Sequence, residues 1–439
     1  MAIDSFPSVP LESLCDPQRG ITYGIVKVGE FQADGIPVIR GGDIREGRIV
    51  WDDAKRVSRE VSEQFRRTIL RGGEIVINLI SEPGHCAIVP PDLAGANVSR
   101  DVGVIPVRTD VSREYIDYFL KSPLCVKWFE ARLQGSVTQK INLSTLKSVP
   151  VPLPPHAQQR RIAGVLRALD DKIELNRQTN ETLEAMARAQ FKSWFVDFDP
   201  VQTDAGSPSA VTAMLESPIG EIPVGWRVAP LGDLLSVLET GGRPKGGVRG
   251  ITAGVVSVGA ESIVGIGRFD FSKTKFVPQE FYDSMTKGRV ADRDVLLYKD
   301  GGRPGEFEPH VSMFGSGFPF SQFCINEHVY RLRAAPPLTQ VYLYFALESE
   351  RLKDEMRVKG TGVAIPGLNS SAVRSLTFLI PPAAIIDCFD RLVGPWVSQM
   401  LLNAAESKTL ADIRDQLLPR LLSGELRVRD AEGLVEATV

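Results

Sequence analysis

Two stretches of this chain place apolar or small side chains at alternating steps of four and three. In the first they are Ile162, Leu166, Leu169, Ile173, Leu183, Ala187 and Trp194; in the second, Phe389, Val393, Trp396, Met400, Leu410, Leu417 and Leu421. Such spacing draws a narrow apolar seam along one face of a helix, as in a coiled coil, and predicts two long helices. Each follows a Pro-Pro step, Pro154-Pro155 and Pro381-Pro382. Proline is accommodated in the first turn of a helix and not in its interior, so these are suitable starts. Pro419 and Gly394-Pro395 fall inside the second pattern, where kinks are expected.

The two stretches are copies of one another. Pro154 and Pro381, Ile162 and Phe389, Leu169 and Trp396, Ile173 and Met400, Asn176 and Asn403, and Leu183 and Leu410 are each 227 positions apart, so the match needs no gap. It reaches back to Gly135, Asn142 and Ser148, which fall on Gly362, Asn369 and Ser375. A repeat of this size dictates architecture. Asn176 and Asn180, with Asn403 and Ser407, interrupt the seam near its middle in both copies, and a matched polar layer is suited to fixing register. Antiparallel pairing about a pseudo-twofold axis would bring Asn176 close to Asn403.

Outside the helices the pattern shortens. IPVIR, GEIVINL and VGVIPV in the first part, and GVVSVGAESI and RDVLLYK in the second, read as strands separated by Gly and Pro. Pro10-Leu11 and Leu14 fall on Pro230-Leu231 and Leu234, so the scaffold of the first part restarts in the second. Glu114 to Leu133 reads as a helix broken near Pro123, followed by a loop, a short helical turn and a strand that leads into the long helix. The expected fold is α+β: two pseudo-repeated mixed α/β domains separated by two long antiparallel coiled-coil helices. The boundaries are 1–153 for the first domain, 154–199 for its helix, 200–218 for a linker rich in Asp, Pro, Ser and Gly, 219–380 for the second domain, 381–425 for the second helix and 426–439 for a flexible tail.

At 439 residues the chain exceeds one ordinary domain, and 43% hydrophobic with 24% charged residues is a soluble globular balance. A formal charge of -3 and a pI near 6.0 exclude a uniformly basic nucleic-acid binder, so any such binding rests on local patches or is shared with a partner. The five cysteines are scattered and never form C-x-x-C, which argues against a disulfide framework and a zinc site. No apolar run approaches the ~18 residues of a membrane span, and the start does not read as a signal peptide, so a cytoplasmic location without a membrane partner is expected.

Motifs for catalysis are missing. There is no phosphate loop, no strand-turn-helix dinucleotide fingerprint and no aromatic-bearing Asn/Asp-Pro-Pro motif of amino-methyltransferases. Glu406-Ser407-Lys408 copies part of a nuclease site, yet it is placed on the exposed side of the second helix without a nearby acidic partner. His85, His156, His310 and His328 have no ligand spacing, so no catalytic residue, metal site or cofactor is assigned to this chain. Binding chemistry is better represented. Candidates for DNA contact in the first domain are Thr22, Tyr23 and Lys27 on a glycine-rich turn, Arg40 and Arg45 after a strand, Asn97 and Arg100, and Gln139 and Lys140. In the second they are Arg243 and Lys245, Lys299 and Arg303, Asn326, and Lys359 and Thr361. Arg, Lys, Asn and Gln on glycine-flanked loops are the groups that read base edges and hold phosphates. Ordinary solvated loops have the same composition, so the recurrence supports the set more than any member.

LPPHAQQRRIAGVLRALDDKIELNRQTNETLEAMARAQFKSWFVDFDP resembles the central conserved region of the specificity subunits of type I restriction-modification enzymes. ADIRDQLLPRLLSGELRV is similar to their carboxy-terminal counterpart, and GITYGIVK with IPVIRGGDI resembles the opening of one of their target-recognition domains. Ala157-Gln158-Gln159 and Ala383-Ala384-Ile385 depart from the Glu-Gln that usually follows the prolines. The resemblance implies a subunit without catalytic activity that binds double-stranded DNA, each domain reading one half of a split target. It also implies two adenine methyltransferase subunits docked on the paired helices and carrying S-adenosylmethionine, joined in the full assembly by two restriction/translocase subunits that use ATP and magnesium. A repeat-built adaptor that binds protein without reading DNA is the alternative.

Overall fold

The computed structural model describes residues 6–27, 29, 32–45, 47–51, 54–133, 139–199, 213–301, 305–360 and 366–436. The chain divides into two compact units, Met1–Lys172 with Leu410–Val439, and Ile173–Thr409, so each long helix contributes to both. The helices are His156–Phe195 and Ala383–Leu422. Gly394, Pro395 and Pro419 lie within the second and do not end it. Among the described residues no helix is long and apolar enough to cross a membrane.

The first unit is mixed α/β. Its four-stranded antiparallel sheet runs in the order Thr22–Tyr23, Val102–Ile105, Ile75–Asn78, Cys86–Ile88. Beside it, Ile36–Ile39 pairs antiparallel with Lys55–Val57 and parallel with Asn97–Val98. Ile75, Val76 and Ile77 are fully buried, as a central strand covered on both faces requires. Helices Arg113–Lys121 and Pro123–Glu130 are separated at Ser122, whose hydroxyl caps the second while Pro123 occupies its first position.

The second unit repeats this plan. Its sheet runs Leu235–Thr240, Val329–Ala334, Val295–Tyr298, Val311–Met313, and Val255–Val258 pairs antiparallel with Phe276–Val277 and parallel with Phe323–Ile325. Small devices are duplicated too. Asn142 accepts from the Thr145 amide at 2.8 Å to cap Leu143–Lys147, and Asn369 accepts from Ala372 at 2.8 Å to cap Ser370–Arg374. The Tyr115 hydroxyl donates to the Pro152 carbonyl at 2.7 Å, and that of Tyr342 donates to Leu379 at 2.9 Å. Gly24 and Gly241 lie so close to the Val98 and Ile325 carbonyls that a Cβ at either would collide with the backbone, which fixes both loops against the neighbouring strand.

Within the second unit the two helices run antiparallel, and the seam residues meet. Phe389, Val393 and Met400 are buried, with Leu183 and Trp396 half-buried against the same cluster. In the first unit Ile162, Leu166, Leu169, Leu410 and Leu417 are buried. Ile173 is only half-buried. The polar layer lies in the second unit and is reciprocal. Asn403 Nδ2 donates to Asn180 Oδ1 at 2.8 Å, and Asn176 Nδ2, its counterpart, donates to Ser407 Oγ at 3.3 Å. Asn176 also donates to Glu406 Oε2 at 2.6 Å, so Glu406 and Ser407 face the partner helix instead of solvent, contrary to expectation.

Two further expectations are corrected. The stretch 426–439, expected to be a flexible tail, contains the helix Val428–Glu436. Val428, Ala431 and Val435 are buried on one side of it, and Glu432 pairs with Arg161 at 2.7 Å. Of the linker 200–218, residues 200–212 lie outside the described set, but Met214–Ser217 forms a hairpin with Gly220–Pro223.

Candidate nucleic-acid interface

In the first unit most candidate residues gather where the strands Ile75–Asn78 and Val102–Ile105 meet at the Asn78/Val102 end. Arg40 is held by Asp43, which accepts from the Arg40 amide at 2.9 Å, from Nε at 3.2 Å and from Nη2 at 3.0 Å. A guanidinium gripped along one edge is oriented, not merely attracted. The next residue, Gly41, donates its amide to Asp101 Oδ2 at 2.9 Å, and Asp101 in turn accepts from Ser99 Oγ. Arg100, between them in sequence, is exposed. Gln139 and Lys140 are exposed beside the same edge, since the Ser81 amide donates to the Gln139 carbonyl at 2.9 Å and Ile80 bridges Lys140. Tyr23, on the flanking strand opposite Gly103, is 44% exposed, and Lys27 is exposed in the loop that follows. Thr22 is half-buried, and Arg45 Nε donates to the Gly42 carbonyl at 2.6 Å.

Asn97 does not belong to this set. It is fully buried, accepts from Thr68 Oγ1 at 2.7 Å and donates to Ser62 Oγ at 3.0 Å. With its amide satisfied inside the protein it pins the strand to the preceding helix and cannot reach a base. It is withdrawn as a contact residue.

The second unit builds its edge at the matching strand ends, Tyr298 and Val329. Arg243 pairs with Glu327 at 2.9 Å, and Lys299 Nζ donates to the Glu327 carbonyl at 3.1 Å while pairing with Asp300 at 2.9 Å. Asn326 Oδ1 accepts from the His328 amide at 2.9 Å, and the His328 ring contacts Asp300. Burial pushes the Asp300 carboxyl up, but hydrogen bonds from Lys299 and His328 outweigh it and hold the group below the usual carboxylate range. The structure thus brings Arg243, Lys299 and Asn326 together. Lys245 is exposed on the neighbouring loop, whereas Lys359 is directed to Ser375 Oγ at 3.1 Å and Glu355 at 3.6 Å. Arg303 and Thr361 lie outside the described residues. Reasoning from sequence missed Asp101, Asp300, Glu327 and His328. All lie within two residues of a strand end, and that placement was the available signal.

A twice-built strand-end edge, cationic at its rim and braced by carboxylates behind, is a form suited to nucleic-acid recognition. Residues 25–185 match the family model described as type I restriction modification DNA specificity domain. The class is therefore that of proteins carrying a DNA specificity domain. The chain is 28% identical over 413 residues to the type I restriction enzyme MjaIX specificity subunit of Methanocaldococcus jannaschii, covering 92% of this chain and 90% of that one. It is 25% identical over 454 residues to the HindI specificity subunit of Haemophilus influenzae, covering 92% and 98% respectively. The crystal structure of the type I restriction-modification system S subunit from M. genitalium shares the fold, with a TM-score of 0.52, 14% identity and 96% of each chain covered. The similarity to specificity subunits of type I restriction-modification systems thus extends over nine-tenths of the chain.

Proposed function

We propose that each unit reads one half of a split DNA target with its strand-end edge, and that the two long helices separate the recognition domains and dock two adenine methyltransferase subunits. In a full assembly two restriction/translocase subunits would join them. On this reading the chain supplies recognition and no catalysis; S-adenosylmethionine, ATP and magnesium belong to the partners, and the target adenine leaves the duplex to reach a partner's active site.

The observation that carries this is the duplication itself: one scaffold edge is built twice, while the side chains on it differ. Arg40, Arg100, Gln139 and Lys140 occupy one edge, and Arg243, Lys299 and Asn326 the other. Conserving a frame while varying its rim is what two independent half-site readers need. The energetics allow exchange. Arg243 is 63% exposed, so its pair with Glu327 is worth at most about 1 kcal/mol, against about 1–3 kcal/mol for a bidentate guanine contact. Duplex binding by the complex reconstituted with a methyltransferase subunit tests the reading. Affinity should fall linearly with salt on logarithmic axes and should favour one sequence class. An adaptor that binds only protein would show neither.

A further inference from the structure

At the end of the first unit's sheet opposite the reading edge, the turns before Ile75 and after Ile105 enclose a cleft of about 450 Å³. Five arginines line it against three carboxylates. Glu74 is committed to Arg19 at 2.6 Å and Glu114 to Arg113 at 3.1 Å. Arg71 and Arg160 are exposed, and neither has a side-chain partner among the described residues. Gly73, at φ +89°, leaves the room that Arg113 occupies, since a Cβ there would collide with its guanidinium.

The second unit keeps this frame and replaces the unpartnered arginines. The frames match because the Arg71 amide donates to Glu74 at 2.9 Å where the Ala291 amide donates to Asp294 at 2.7 Å, and because Ser112 and Thr339 cap corresponding helices. At the matching places, Ala291 stands for Arg71, Ala335 for Arg108, Gln340 for Arg113 and Asp387 for Arg160. At these four places no cation remains and one carboxylate is added; Arg293 and Arg333 enter at the places of Gly73 and Pro106, but Arg293 donates to Ser398 Oγ at 3.0 Å and Arg333 pairs with Asp294 at 2.6 Å.

The geometry points to a docking site, on the first unit alone, for a carboxylate-bearing segment of a protein partner. Arginine pairs with carboxylates through two parallel hydrogen bonds, and two such groups without internal partners face one concavity. The cleft lies at the opposite end of these strands from the edge proposed to read the duplex. A backbone contact serving both halves of a target would also recur in both copies, as the reading edge does. The inference rests on the function proposed above, in which the partner is a methyltransferase subunit, and adds that its two copies are taken up unequally.

The test uses the full chain with the methyltransferase subunit at physiological salt, followed by native mass spectrometry, beside duplex affinity of the chain. Arg71→Glu combined with Arg160→Glu should weaken uptake of one of the two methyltransferase subunits tenfold or more, so that complexes holding one predominate where the wild type holds two. Duplex affinity should not change. Arg71→Lys with Arg160→Lys retains the charge and should keep most of the uptake, which separates electrostatics from misfolding. Unchanged uptake in the Glu variant overturns the inference. So does a loss confined to duplex affinity with a shallower salt slope, which would make the arginines phosphate contacts. A wild-type chain that takes up no methyltransferase overturns the proposed function first, and this inference with it.

Discussion

Asn97 and Arg100 stand three residues apart in the same short stretch, yet one is enclosed and the other open to solvent. Replacing Asn97 with Ala removes one partner of the Thr68 hydroxyl and the donor to Ser62 in a buried site, which costs about 1–3 kcal/mol. Urea denaturation should show that loss, while the half-site specificity of the surviving folded protein stays the same. Arg243→Ala should do the opposite. Stability should hold within a fraction of a kcal/mol, since the pair it breaks is exposed, and methylation at the half-site of the second domain should weaken by about 1–3 kcal/mol if the contact is bidentate to guanine. Methylome sequencing of the variant checks it, and unchanged methylation would remove Arg243 from the reading edge. The sequence could not separate the two kinds of residue because Asn97 is claimed by Ser62 and Thr68, far upstream, and such partners are set by the tertiary fold. Composition marks both Asn97 and Arg100 as suitable for a base edge; only burial distinguishes them.

Elements were more legible than residues. The long helices announce themselves through a four-three seam that occurs twice, and each structural helix starts directly after its Pro-Pro step. The capping asparagines Asn142 and Asn369 were visible as matched positions before their role was known. The terminal helix Val428–Glu436 was missed although Val428, Ala431 and Val435 form an apolar stripe at helical spacing. Its brevity and Gly433 obscured a pattern that packing within the first unit stabilises. The polar layer carries the prediction at this scale. Asn403→Leu strands the half-buried Asn180 oxygen, and should lower stability by roughly 1–3 kcal/mol even though leucine suits a seam. A double substitution with Asn180→Leu should recover part of that loss in thermal unfolding. If the single substitution stabilises the protein, the layer has no part in fixing register.

At the scale of the whole molecule, the proposed reading of one half-site per unit would make specificity modular. Exchanging residues 1 to 153 for the corresponding domain of another such subunit should change one half of the methylated sequence and leave the other half intact. Methylome mapping of the chimera reads this directly, and a change in both halves would mean that the domains do not read independently.

The reciprocity of the polar layer also bears on how such a chain could arise and be shortened. Asn403 is the repeat of Asn176, and Asn403 meets Asn180. In a molecule holding only the first copy, Asn176 of one chain could therefore meet Asn180 of a second identical chain, and the reverse contact would follow from symmetry. The helix face is in this sense its own mate. A gene fragment ending after Phe195 should yield a protein that sediments as a homodimer, and with methyltransferase present it should modify a palindrome made of the first half-site and its inverted copy. A fragment that stays monomeric at micromolar concentration would show that the two copies have diverged beyond self-recognition.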